Sequence, residues 1–138
     1  MKWVLAVMGA TALAGCQTAE QYADRENRLQ AEIAARQGAE VNQICFTRSI
    51  DGWRELGDDA LLVREGIDDW YKLDLAGVCA PDWAFNAIAI ETRTGSSCLT
   101  RGDHVTIPNS PLDGRCTIMS IHEWDEEAEV PEAAQRQY

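Results

Sequence analysis

The sequence has few groups able to move protons and none of the local patterns that usually organise them. Its 138 residues include only two histidines, His104 and His122. There is no Gly-x-Ser-x-Gly elbow, phosphate-cradling glycine loop, His-Glu-x-x-His pair or calcium loop. A triad would have to be assembled from Ser96 or Ser97, His104 and Asp103, residues that almost any serine-containing chain offers. The carboxylate pairs Asp58-Asp59 and Asp68-Asp69 fall where turns are expected. There Asp serves backbone N–H groups and stays solvated, rather than working as a glycosidase acid and base. Close Cys-x-x-Cys pairs are also missing, so no metal and no cofactor is expected. Positive charge is scarce: 12 Lys and Arg face 23 Asp and Glu, for a net charge of −11. That balance repels nucleic acid and anionic headgroups. Nor is there an apolar run of the ~20 residues that a membrane-crossing helix requires.

What is present begins at the first residues. A positive start at Met1-Lys2 leads into an apolar stretch from Val4 to Leu13, which closes on Leu13-Ala14-Gly15-Cys16. These are the parts of an export signal. The last four residues resemble the lipobox of bacterial lipoproteins. The resemblance implies removal of residues 1–15, attachment of diacylglycerol to the Cys16 thiol and acylation, commonly with palmitate, of the new amino terminus. Each buried methylene contributes ~0.8 kcal/mol, so two or three chains hold a protein on a membrane without a spanning helix. Gln17 stands where Asp commonly marks retention in the inner membrane. By resemblance, then, the expected location is the outer membrane, lipid-anchored and facing the periplasm.

Removing Cys16 from the count leaves Cys45, Cys79, Cys98 and Cys116, an even number for an oxidising compartment, and two disulfides are expected. Four cysteines allow three pairings, and spacing does not choose among them. The pairing favoured is Cys45 with Cys116 and Cys79 with Cys98.

The length suits one folded domain. Residues 19 to 40 read as a helix with Tyr22, Leu29 and Ile33 at helical spacing. Within the segment 16–43, that thin stripe suggests a solvated spacer. From Ile44 to His122 the rhythm is that of short strands between turns. Residues 69 to 75 alternate most clearly, with Tyr71, Leu73 and Leu75 toward a core and Trp70, Lys72 and Asp74 toward water. Ala60 to Glu65 should pair with them through Gly66-Ile67-Asp68. Further strands are expected over residues 45–50, 87–92, 104–107 and 116–122. The fold expected for 44–122 is mainly β, a small antiparallel barrel or sandwich with an N-terminal helix. Residues 123–138, rich in Glu and Asp, read as a disordered acidic tail.

The order Cys45-Phe46-Thr47-Arg48-Ser49-Ile50, Ala60-Leu61-Leu62-Val63, Trp70-Tyr71-Lys72-Leu73-Asp74-Leu75, Cys79, Gly102-Asp103 and Cys116-Thr117-Ile118 resembles an uncharacterised family of small Gram-negative lipoproteins. That resemblance implies an exported, cysteine-stapled domain of unknown function and brings no active site.

Two residues are candidates for a ligand surface. Arg48 alternates with Phe46 and Ile50, so it is expected to point inward with them onto a carboxylate or carbonyl, an ion pair being the simplest arrangement and an anion site the alternative. Trp70 is expected either to offer a flat face to a sugar or peptide, or to join a second buried layer under the helix. Arg101-Gly102-Asp103 spells an adhesion tripeptide but reads as a plain turn. The function expected is that of an outer-membrane lipoprotein whose periplasmic domain is a non-catalytic binding or assembly module. Its partners would be the membrane, through the anchor, and a protein of the envelope. The alternatives are a small envelope hydrolase using His104 or His122, and an accessory subunit of an envelope complex.

Overall fold

The computed structural model describes residues 19–45, 47–77, 79–84, 87–111 and 114–132. Among them are helix α1 (Ala19–Arg36) and strands β1 (Gln37–Glu40), β2 (Gln43–Cys45), β3 (Ile50–Leu56), β4 (Ala60–Glu65), β5 (Asp69–Ala76), β6 (Ala89–Glu91), β7 (Cys98–Thr100), β8 (His104–Thr106) and β9 (Arg115–Trp124). The main sheet runs β3-β4-β5-β9-β8-β6, with β1 added to the far half of β9. All of its pairs are antiparallel, and it curls into a half-barrel. β2 and β7 form a separate two-stranded sheet.

Alternation builds the inner face. Leu61 and Val63 of β4, Leu73 and Leu75 of β5, Val105 of β8 and Cys116, Ile118 and Ile121 of β9 meet in one core, which the small sheet covers with Ile44 and Leu99. Ile118 and Ile121 are an odd number of positions apart, so strict alternation would send them to opposite faces. The register shift that moves the partner of β5 from Ser120 opposite Asp74 to Ile118 opposite Leu75 inserts an extra residue, a β-bulge. Met119 is left 51% exposed, and both isoleucines turn inward.

β4 is apolar on its other face too, which is why the sheet carries a second layer. Leu56, Ala60, Leu62 and Trp124 form a smaller cluster, and Leu29 and Ile33 of α1 pack onto it beside Trp70. The helix is therefore docked along its second half and is not a free spacer, although Tyr22 in its first turns is 60% exposed. Gly57 allows this approach: it turns the chain between β3 and β4 at φ +69°, and a Cβ there would stand 2.6 Å from Leu29 Cδ2. The helix runs directly into β1, whose pairing with β9 ties it to the sheet.

The acidic segment is not a free tail over its described part. The boundary expected after residue 122 falls inside β9, which continues to Trp124. Asp125 N then donates to Arg36 O at 2.9 Å. Glu126 receives Arg54 Nη2 at 2.9 Å and the Trp124 indole N–H at 2.7 Å, with Arg36 Nη1 at 3.5 Å. Glu32 of the helix bridges the same two arginines, at 3.2 Å from Arg36 and 3.4 Å from Arg54. Four charges thus fasten helix, edge strand and acidic segment together.

Two disulfides form, with a pairing different from the one favoured on sequence: Cys45 bonds Cys98 and Cys79 bonds Cys116. The reason is register. Cys45 lies directly opposite Cys98 in the β2–β7 pair, a pairing hidden in the sequence because three-residue β7 gives no strand signal of its own. Each bridge closes a long loop, spanning 53 and 37 residues, and is worth ~3 to 4 kcal/mol.

Non-reducing peptide mapping should recover Cys45 with Cys98 and Cys79 with Cys116; a Cys45–Cys116 peptide would refute the register. Leu73→Ala should lower the unfolding free energy by about 2–5 kcal/mol in urea titration, as expected for a fully buried leucine. Leu29→Ala should cost roughly 1 kcal/mol, as for a half-buried one, whereas a helix free of the sheet would show no change.

Candidate functional site

Several residues singled out in the sequence lie in surroundings other than those expected. Cys16 and Phe46 fall outside the described residues. Trp70 is half-buried beside the helix-covered cluster, and the Arg64 guanidinium lies 5.6 Å from its ring centroid. It packs on the second layer, with Arg64 over its ring. Arg48 is not on a strand: it sits in a short 3-10 turn, residues Thr47–Ser49, and is exposed instead of pointing into the core. Asp58 and Asp68 lie in turns, exposed, as the turn explanation requires.

His122 does meet polar company. On the outer face, β5 and β9 place Lys72 opposite His122 and Asp74 opposite Ser120. Asp74 Oδ2 accepts the Ser120 hydroxyl at 2.6 Å, and Asp74 Oδ1 accepts Lys72 Nζ. Lys72 also reaches across β9 to Gln37 Oε1 at 2.8 Å, and is only 6% exposed. His122 Nδ1 is buried without a hydrogen bond, 3.4 Å from Asp74 Oδ2. Acyl transfer needs the serine hydroxyl to donate to the imidazole and the imidazole to be held by the carboxylate. Here serine, lysine and histidine all face the same carboxylate, which makes a cross-strand clasp and not a relay. His104 stands apart, its Nδ1 3.5 Å from Arg115 Nη2. Among the described residues no group of three or more His, Cys, Asp or Glu is placed to hold a metal.

Asp103 closes the adhesion-like triplet and is 3% exposed, so it cannot be presented to a partner. Its carboxylate receives Arg93 N at 2.9 Å, Thr100 N at 2.7 Å and Thr100 Oγ1 at 3.0 Å, while its own backbone O accepts Ile118 N at 2.9 Å. It locks the loop before β7, the end of β7 and β9 into one unit. Burial opposes its charge, but the hydrogen bonds from Arg93 and Thr100 outweigh burial and hold the carboxyl below the usual range. Glu126 is shifted the same way: burial is outweighed by hydrogen bonds from Arg54 and Trp124 and by the charges of Arg54 and Arg36.

The site with the clearest ligand chemistry is the seam of the half-barrel. β3 and β6 are the two ends of the sheet path. Inner-face side chains from both sides, Ile50 and Trp53 against Ile88 and Ile90, are half-buried against the core and line a cleft of about 260 Å³. The Trp53 indole N–H donates to Ala84 O, which fixes the ring as a wall. Arg48 is the remaining lining residue and supplies the one charge among them.

Arg36, Arg54, Arg64, Arg93, Arg101 and Arg115 each have a carboxylate at 3.5 Å or less. Arg48 makes no ion pair or hydrogen bond among the described residues. The ion pair expected for it is not found among the described residues: its 3-10 turn leaves the side chain exposed at the cleft, where none of the described lining residues carries a carboxylate. Sequence reading missed Trp53, Ile88 and Ile90 as partners. The only available signal was their apolar character, since the closeness of the two sheet ends is a product of curvature.

The profile of a family of unknown function matches residues 1–137. No curated protein and no solved structure matches the chain.

The depressed Asp103 and Glu126 carboxyls fix the sign of an acid response. The folded state binds fewer protons than the unfolded chain between the depressed and ordinary carboxylate values, so their stabilisation is complete above the ordinary range and is lost as pH falls through the folded values. The melting temperature should be level above about pH 5.5 and drop below about pH 4. Asp103→Asn should cost ~2 kcal/mol at neutral pH and flatten part of that acid limb; an unchanged limb would show that Asp103 is not its source.

Proposed function

We propose that this chain, which belongs to the family of unknown function DUF6491, is a lipid-anchored protein of the outer membrane whose periplasmic domain acts as a non-catalytic binding module. One observation carries the reading. Of five cysteines, four are consumed in two disulfides, and the one left over is Cys16, at the end of Leu13-Ala14-Gly15-Cys16. Paired thiols belong to an oxidising compartment, and a lipobox-like cysteine outside the bridges is the residue that lipidation requires. The positive start and short apolar run before it are in register with export. The absence of an acidic residue at Gln17 favours the outer membrane by the same resemblance.

For the domain itself, the seam supports binding better than the outer-face cluster supports hydrolysis. Ser120 donates to Asp74 and leaves no hydroxyl directed at His122. The seam brings four apolar side chains and one guanidinium to a single cleft, a combination suited to binding a small ligand.

Mass spectrometry of protein extracted from envelopes should give an amino-terminal peptide that begins at Cys16 and carries diacylglyceryl and acyl groups. Cys16→Ala should release the domain from the membrane fraction. A peptide retaining Met1, or a bare Cys16 thiol in membrane-derived material, would overturn the anchor.

A further inference from the structure

We propose that the seam between β3 and β6 binds a free anionic amphiphile, with a short alkyl chain in the cleft and its carboxylate on Arg48. The inference deepens the reading of the domain as a binding module and is independent of the anchor at Cys16.

The chemistry follows from the lining. The side chains of Ile50, Trp53, Ile88 and Ile90 are hydrocarbon apart from the Trp53 N–H, which is already engaged by Ala84 O. An occupant with an apolar segment can pack against them. At about 260 Å³ the cleft lies just under the ~300–1,000 Å³ common for small-ligand pockets, which suits a chain of several methylenes.

The polar end is set by Arg48. Its planar guanidinium is built for carboxylate or phosphate oxygens and stays charged at any physiological pH. Six other arginines have carboxylates within 3.5 Å, whereas the Arg48 guanidinium, without a partner among the described residues, stands at the cleft able to meet an anionic group. Among the described residues, no carboxylate lines the cleft. At about 260 Å³ the cleft has room for one short chain, which argues for a free amphiphile over a two-chain membrane lipid as the occupant.

The test is a titration of the full-length isotope-labelled chain, in non-ionic detergent, with hexanoate, 1-hexanol and acetate, followed by NMR of the Trp53 indole N–H and of the backbone amides of residues 48–53 and 88–90. Hexanoate should shift these signals saturably, 1-hexanol should bind more weakly, and acetate should leave them in place. Arg48→Gln should weaken hexanoate by about fivefold, an exposed charge pair's contribution. It should leave 1-hexanol unchanged, and Arg48→Lys should retain part of the difference. Arg48 is exposed, so neither variant threatens folding.

Equal binding of hexanoate and 1-hexanol, an unaffected Arg48→Gln variant, or shifts confined to other parts of the sheet would each overturn the proposal. So would a response to vesicles containing phosphatidylglycerol without one to hexanoate, which would assign the headgroup source instead. The lipidation state of Cys16 is read separately by mass spectrometry, so failure here leaves the anchor standing, and failure there leaves the cleft.

Discussion

Burial of β4 on both faces is the constraint from which the architecture follows. A strand with Leu61 and Val63 on one side and Ala60 and Leu62 on the other cannot leave either face to water. The inner side is satisfied by curling the sheet around a core that the β2–β7 pair covers. The outer side needs a separate cover, and α1 provides it with only two apolar residues, Leu29 and Ile33. Such a slender contact would be marginal alone, and the charges around Glu126 add to it. Surface ion pairs taken singly are worth little, but Arg36, Arg54, Glu32 and Glu126 form a network in which each carboxylate serves both arginines. The indole of Trp124 joins the apolar cluster and this network in one side chain.

The same economy explains the placement of covalent bonds. Neither disulfide crosslinks the β3-β4-β5 meander, which is held by continuous ladders and the largest buried leucines. The bridges go to the parts that hydrogen bonding holds least: the three-residue strands β2 and β7, and the irregular segment between β5 and β6. Asp103 works in the same region without covalency. Small domains with limited cores are commonly reinforced in this way.

How much of this the sequence disclosed depended on whether the signal was local. β4 and β5 were legible to within a residue, because unbroken alternation and a glycine turn are local facts. β3 was not, because Gly52, Arg54 and Glu55 interrupt its apolar pattern, and its strand identity comes from pairing with β4. The bulge in β9 was invisible for the same reason: it is defined by what lies opposite. The helix was readable as a helix, but its docking was not, since the cluster that receives Leu29 and Ile33 is assembled from four strands. At the candidate site, Arg48 stood out by charge among apolar neighbours, yet its direction was misjudged because a 3-10 turn replaces the strand that alternation implied. The seam itself depends on the closing of a curved sheet, which no short window of sequence contains.

The route by which the chain enters the sheet has a mechanical corollary. α1 leads straight into β1, whose backbone pairs with the last residues of β9. A pull arriving from residues before Ala19 would have to break the Leu29 and Ile33 contacts and the charge network of Glu32 and Arg36 before it unzipped β1. The amino-terminal third would thus behave as a lead-in that takes up tension first, with β3 sharing the load through the Arg54–Glu32 bridge.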